Sequence, residues 1–126
     1  MDDAIKTFLE KPLVGYMATI APDGYPHIVP TWFALDGEDI ISSTIENRAR
    51  ARYSRANPKS TITIGGNKGD GAGYMFVGDV EITPDEDMQL MRQIFLRYTS
   101  ADNFKKYDTD GRVILRLKIK KIISVY

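Results

Sequence analysis

The chain has 126 residues, with 17 Lys plus Arg balanced by 17 Asp plus Glu, one histidine and no cysteine. This excludes disulfides, thiolate nucleophiles and cysteine- or histidine-cluster metal sites, and it gives no bulk attraction to nucleic acid or anionic membrane. The length suits a single domain over residues 1–126, and apolar runs far short of a membrane span, behind an acidic start, make a cytoplasmic location the expectation.

The spacing of Ala4, Ile5, Phe8 and Leu9 predicts a short helix over residues 2–11, with Asp2 and Asp3 at its positive end and Pro12 stopping it. Residues 13–20 form an apolar run of strand length. Pro22-Asp23-Gly24 is a turn in which proline presets φ and glycine accepts a positive one. A second strand is expected over 25–35. Asp36-Gly37 is a hairpin signal, and a third strand follows over 39–43.

Residues 46–57 are rich in alanine and arginine, strong helix formers, and Pro58 ends the segment. Helical spacing puts Ala49, Tyr53 and Ala56 on one stripe, expected to face the interior. Residues 59–64 have the β-branched enrichment of a strand. Residues 65–73 contain five glycines and read as a flexible connection. In the next strand Tyr74, Phe76, Val80 and Ile82 share a face, and Gly78 on that face marks a bulge or a close approach.

A helix is expected over 83–98, burying Met88, Met91, Ile94 and Phe95, followed by a short helical piece over 102–107. The last strand alternates Val113, Leu115, Leu117 and Ile119 against Arg112, Arg116, Lys118 and Lys120, and its phase slips at Lys120-Lys121. Strands joined mainly by hairpins predict an antiparallel sheet that closes into a barrel, a mainly β (α+β) fold with peripheral helices.

The segment with the most chemistry is Ser42-Ser43-Thr44 running into Glu46-Asn47-Arg48-Ala49-Arg50-Ala51-Arg52. Hydroxyls at a strand end, helix N–H groups and guanidinium groups converge there, which is what a phosphate needs. Arg48 and Arg50 lie nearest the helix start, while Arg55 is expected to be solvated or paired with a carboxylate. A solvated basic face is the competing reading.

The order Gly15-Tyr16-Met17-Ala18-Thr19-Ile20, Asp23-Gly24-Tyr25-Pro26, Pro30-Thr31-Trp32-Phe33 and Asp36-Gly37 resembles the opening of the split-barrel flavin and deazaflavin oxidoreductases. That superfamily includes pyridoxamine-phosphate oxidase. Asn47 to Arg52 resembles its phosphate-binding helix, and Gly73 to Ile82 and the 112–126 segment resemble its later strands. The branch most similar uses coenzyme F-420 (8-hydroxy-5-deazaflavin); it often carries Asn-Leu where this chain has Tyr53-Ser54.

The resemblance implies a split β-barrel and a homodimer with cofactor sites at the subunit interface. It implies Arg48 and Arg50 on the phosphate, supported by Ser43 and Thr44, and the backbone at Pro30, Thr31 and Trp32 along the ring. Tyr74 and Met75 would come from the partner-facing side. Hydride transfer with F-420 to or from a small organic substrate is the activity implied, with flavin mononucleotide (FMN) as the alternative cofactor and a non-catalytic cofactor or tetrapyrrole binder as the other alternative.

Other residues keep two readings. Trp32, the single tryptophan, is either a wall for the ring or a core or interface aromatic. His27 is either an acid or base or a structural strand residue. The 65–73 loop is either a lid or a slack hairpin tip.

Overall fold

The computed structural model describes residues 1–107 and 110–126. Seven antiparallel strands form one sheet: β1 (Gly15–Ile20), β2 (Pro26–Thr31), β3 (Ala34–Asp36), β4 (Asp39–Ile45), β5 (Lys59–Gly65), β6 (Gly73–Pro84) and β7 (Arg112–Ser124). Among the described residues, three α-helices accompany them, α1 (Asp3–Leu9), α2 (Ala49–Ala56) and α3 (Gln89–Phe95), with short 3-10 helices at Glu86–Met88 and Ala101–Lys106. The order across the sheet is β2-β1-β5-β6-β7-β4-β3.

That order explains the barrel. β2 and β3 are nearly consecutive in sequence yet lie at opposite ends of the sheet. A connection of Trp32 and Phe33 can join them only if the sheet curls until its ends approach. The single strand expected over 25–35 is therefore two strands, broken where the chain crosses between the sheet's ends. The broken backbone is held by the segment after α3. The Tyr98 hydroxyl accepts from the Phe33 N–H at 3.2 Å and donates to the Leu13 carbonyl at 2.8 Å. Arg97 donates to the carbonyls of Phe33, Leu9 and Lys11.

The interior is one apolar cluster in which Met17, Phe33, Ile40, Ile62, Ile64, Phe76, Val80, Leu115 and Leu117 meet Phe8 and Leu9 of α1 and Ala51 of α2. Across it, Ser42 Oγ donates to Met17 Sδ at 3.9 Å. A second cluster lies outside the barrel, where α3 packs Met91, Ile94 and Phe95 onto Ala34, Ile41 and Ile114. β7 is thus buried on both faces at its start, so Ile114 is as fully buried as Leu115. Strict alternation places Ile114 with Arg112 and Arg116 and gives no hint of this.

The helices depart from expectation in two places. The buried residues of α2 are Ala51 and Ser54, while Ala56 is exposed and Ala49 and Tyr53 are half-buried. The helix is rotated from the predicted stripe because Arg50 is drawn inward. The predicted 83–98 helix is also broken. Residues 86–88 form a tight turn, Asp87 and Met88 have φ of 55° and 54°, and α3 begins only at Gln89. Asp85 causes the restart: its carboxylate accepts from Leu90 N at 3.0 Å and Met91 N at 2.9 Å, satisfying first-turn donors of α3.

The bulge lies where the phase slip predicts it. Val77 pairs with Lys121 and Gly78 with Ile119, which leaves Lys120 as the extra residue on β7. A Cβ on Gly78 would lie 2.0 Å from the Lys118 carbonyl oxygen, so the close approach needs glycine.

Candidate functional site

The curled sheet leaves a split between its edge strand β2 and the junction of β4 with α2. Two neighbouring cavities open there. The first, about 390 Å³, is lined by Val14, Pro30, Thr31, Trp32, Ser43, Arg50, Phe95, Tyr107 and Arg112. The second, about 370 Å³, is lined by His27, Val29, Pro30, Thr44, Arg48, Ala49 and Arg50. Pro30 and Arg50 line both.

Arg50 is the hinge of the site. Its Nη2 donates to the Ser43 carbonyl at 2.7 Å, while its Nη1 is buried without a hydrogen-bond partner. Burial, then the positive charges of Arg112 and Arg48, push its pKa down to about 10. A guanidinium in that state is stabilised by any anion that reaches it. Among the described residues, no carboxylate lines either cavity. Arg48 precedes α2 as its N-cap and makes no side-chain capping bond, so an anion approaching the helix start also meets the α2 dipole.

The outer arginines behave differently. Arg55 pairs with Glu46 at 2.9 Å on the surface, as expected. Arg52 is exposed and donates to the Asn47 carbonyl at 3.1 Å.

The first cavity has an aromatic wall. Trp32 stacks on Tyr98 with centroids 4.9 Å apart and planes within 2°, and it meets Phe95 edge-on at 4.9 Å. Phe95 and Tyr107 are edge-on at 4.7 Å. Trp32 is thus packed on Tyr98 and Phe95 and also lines the cavity.

Seven of the nine predicted residues converge on these cavities: Pro30, Thr31, Trp32, Ser43, Thr44, Arg48 and Arg50. Tyr74 and Met75 do not line them within one chain. The Tyr74 ring turns inward onto Phe8 at 5.5 Å and Phe76 at 6.1 Å. Met75 sits at the opposite sheet position, aligned with Thr63 and Ile123.

The sequence reading missed Arg112, Tyr107 and Phe95. Arg112 lies at the start of β7, opposite Ile45, and its Nη1 reaches Ser43 Oγ at 3.4 Å while its Nε donates to the Tyr107 carbonyl at 3.1 Å. Sixty-nine residues separate it from Ser43, and only strand pairing brings them together.

A family model described as pyridoxamine 5'-phosphate oxidase matches residues 1–126. The chain belongs to the pyridoxamine 5'-phosphate oxidase family. The structural comparisons agree with the split-barrel flavin and deazaflavin oxidoreductases. A solved F420 reductase is 27% identical, with a TM-score of 0.82 over 98% of both chains. A conserved hypothetical protein from Mycobacterium tuberculosis is also 27% identical, with a TM-score of 0.80 over 98% of this chain and 84% of that one. A heme binding protein from Mycobacterium smegmatis shares the fold at 19% identity and TM-score 0.73, over 95% of this chain and 51% of its own. The family's fold binds flavins, and among the described residues no helix is long and apolar enough to cross a membrane.

Proposed function

We propose that this protein is an oxidoreductase that uses coenzyme F-420 to transfer a hydride to or from a small organic substrate. The observation that carries a phosphate-bearing cofactor is Arg50, a buried guanidinium with an unpartnered Nη1, between two cavities that no carboxylate among the described residues lines. The donor set fits: Arg48, Arg50 and the Thr44 hydroxyl would hold the phosphate, and Pro30, Thr31 and Trp32 would lie along the ring. The F420 reductase likeness, spanning nearly all of both chains, supports the deazaflavin over FMN.

Bound there, the deazaflavin would supply a ring carbon that gives or takes a hydride. The chain's own part is to orient and to shield. Trp32, braced by Tyr98, presents a flat wall; Phe95 and Tyr107 exclude water; Ser43 holds Arg50 and Arg112 at fixed positions. Among the described residues, no carboxylate lining the cavities offers itself as a general base, which suits direct hydride transfer better than hydrolysis.

The same reading includes a homodimer. On the outer sheet face, Pro30, Tyr16, Thr63, Met75 and Ile123 align across five strands, and Ile28, Ala18, Thr61 and Val77 align beside them. Tyr16 is 50% and Ile28 62% exposed. A second copy on this face would cover both and bring Met75 beside Pro30 at the site's edge.

The test is direct competition between F-420 and FMN for the purified protein at low and moderate salt, read by absorbance. F-420 is expected to bind more tightly. If FMN wins in both, the deazaflavin assignment fails and the phosphate site stands.

A further inference from the structure

The cavity at the start of α2 holds one side chain that the phosphate reading leaves unused. His27 lies on the edge strand β2, opposite Thr19 of β1. It lines the same cavity as Thr44, Arg48 and Arg50. Its ring meets Tyr53 of α2 edge-on, with centroids 5.3 Å apart and planes at 90°. Its Nδ1 is buried and has no hydrogen-bond partner.

Two of the residues lining the cavity therefore carry a buried, unpartnered nitrogen, Nδ1 of His27 on β2 and Nη1 of Arg50 on α2. Buried polar groups are nearly always paired, so two orphans in one cavity call for a common partner. Among the described residues, the groups around His27 come from three strands and one helix. Arg48, Arg50 and Tyr53 come from α2 and its start, Thr44 from β4, and Thr19 from β1 with its own buried Oγ1 unpaired. None is a carboxylate.

We propose that His27 is a third arm of the phosphate site and that it acts there as imidazolium, so that anion binding takes up a proton. This rests on the reading that the cofactor's phosphate enters this cavity. A phosphate ester offers two free accepting oxygens as a diester and three as a monoester. The arginines donate from the α2 side, and a protonated Nδ1 would donate from the β2 side. A neutral ring offers Nδ1–H in only one of its two tautomers, whereas the imidazolium always offers it and adds the charge that strengthens a bond to an anion. Imidazole is also the group in this cavity whose charge changes in the neutral range, since guanidinium and phenol titrate far higher. By reciprocity, the anion favours the charged ring and the charged ring favours the anion. The site would hold its cofactor more tightly as the pH falls from 8 to 6.

The chain has a single histidine, so its imidazole resonances are unambiguous in an NMR titration. Sulfate is the probe, because its charge does not change across this range. The wild-type protein is titrated with acid with and without saturating sulfate, and sulfate affinity is measured at pH 6 and 8 for wild type, His27→Gln and Arg50→Met. Sulfate should raise the His27 titration midpoint by about one pH unit, which by linkage corresponds to about tenfold tighter binding at pH 6 than at pH 8. His27→Gln should abolish that pH dependence. Sulfate binding that needs Arg50 but ignores His27 and pH overturns the proposal and leaves the phosphate reading intact. If neither sulfate nor FMN binds the wild type, both fall. Should His27→Gln not fold, the wild-type midpoint decides alone.

Discussion

At the scale of single residues, Arg50 is costly to the empty protein and useful to the occupied one. Its pKa is lowered to about 10 chiefly by burial, so the fold works against its charge at neutral pH. Above about pH 10 the unfolded chain keeps a proton that the folded chain has released, and stability from this group rises with pH until the unfolded chain loses that proton too. Arg50→Met removes the charge and keeps most of the stem. Its melting temperature without ligand should therefore equal or exceed that of the wild type. Its affinity for F-420 or FMN should fall about ten- to a hundredfold, the worth of one charge-assisted contact. Arg55→Ala is the control. It removes an exposed pair with Glu46, worth about 0–1 kcal/mol, and should leave cofactor binding unchanged. Equal losses from both substitutions in a binding titration would refute the geometry.

At the scale of elements, two devices keep the barrel curled. The first is the Tyr98 hydroxyl, which joins Phe33 to Leu13 while its ring stacks on Trp32. Tyr98→Phe keeps the stack and leaves an N–H and a carbonyl unpaired, a cost of about 1–3 kcal/mol. Calorimetry should show a melting temperature lower by roughly 3–8 °C. The second is the bulge at Gly78. Gly78→Ala puts a methyl group 2.0 Å from the Lys118 carbonyl oxygen, and the two strands cannot both stay in place. Denaturant unfolding should show a loss of about 2–4 kcal/mol. A change below 1 kcal/mol would mean that the β6–β7 register adapts freely.

At the scale of the whole molecule, the outer sheet face predicts self-association. A sedimentation experiment at micromolar concentration should give twice the chain mass. Ile28→Lys, a charge at the β2 end of the aligned rows, should shift the protein toward monomer and weaken cofactor binding with it. A wild-type monomer that still binds cofactor would remove the second subunit from the site.

Much of this protein was legible in its sequence. Strand alternation, the Asp36-Gly37 turn, the Lys120 phase slip and the Gly78 position are local consequences of pleat geometry and backbone sterics, and each appears where its pattern lies. The hydroxyl strand end followed by Arg48 and Arg50 was legible for the same reason, because a strand-to-helix junction is built from neighbours. What the sequence could not decide is set by distant pairings. Whether residues 25–35 form one strand or two depends on where β2 and β3 sit in the closed sheet. Which face of α2 turns inward depends on Arg50 reaching Ser43, and Ile114 is buried because α3 lies over β7. Arg112 enters the site only because β7 pairs with β4. Local propensity acts over a few residues, whereas burial and charge at the site are set by segments that the closed sheet brings together from across the chain.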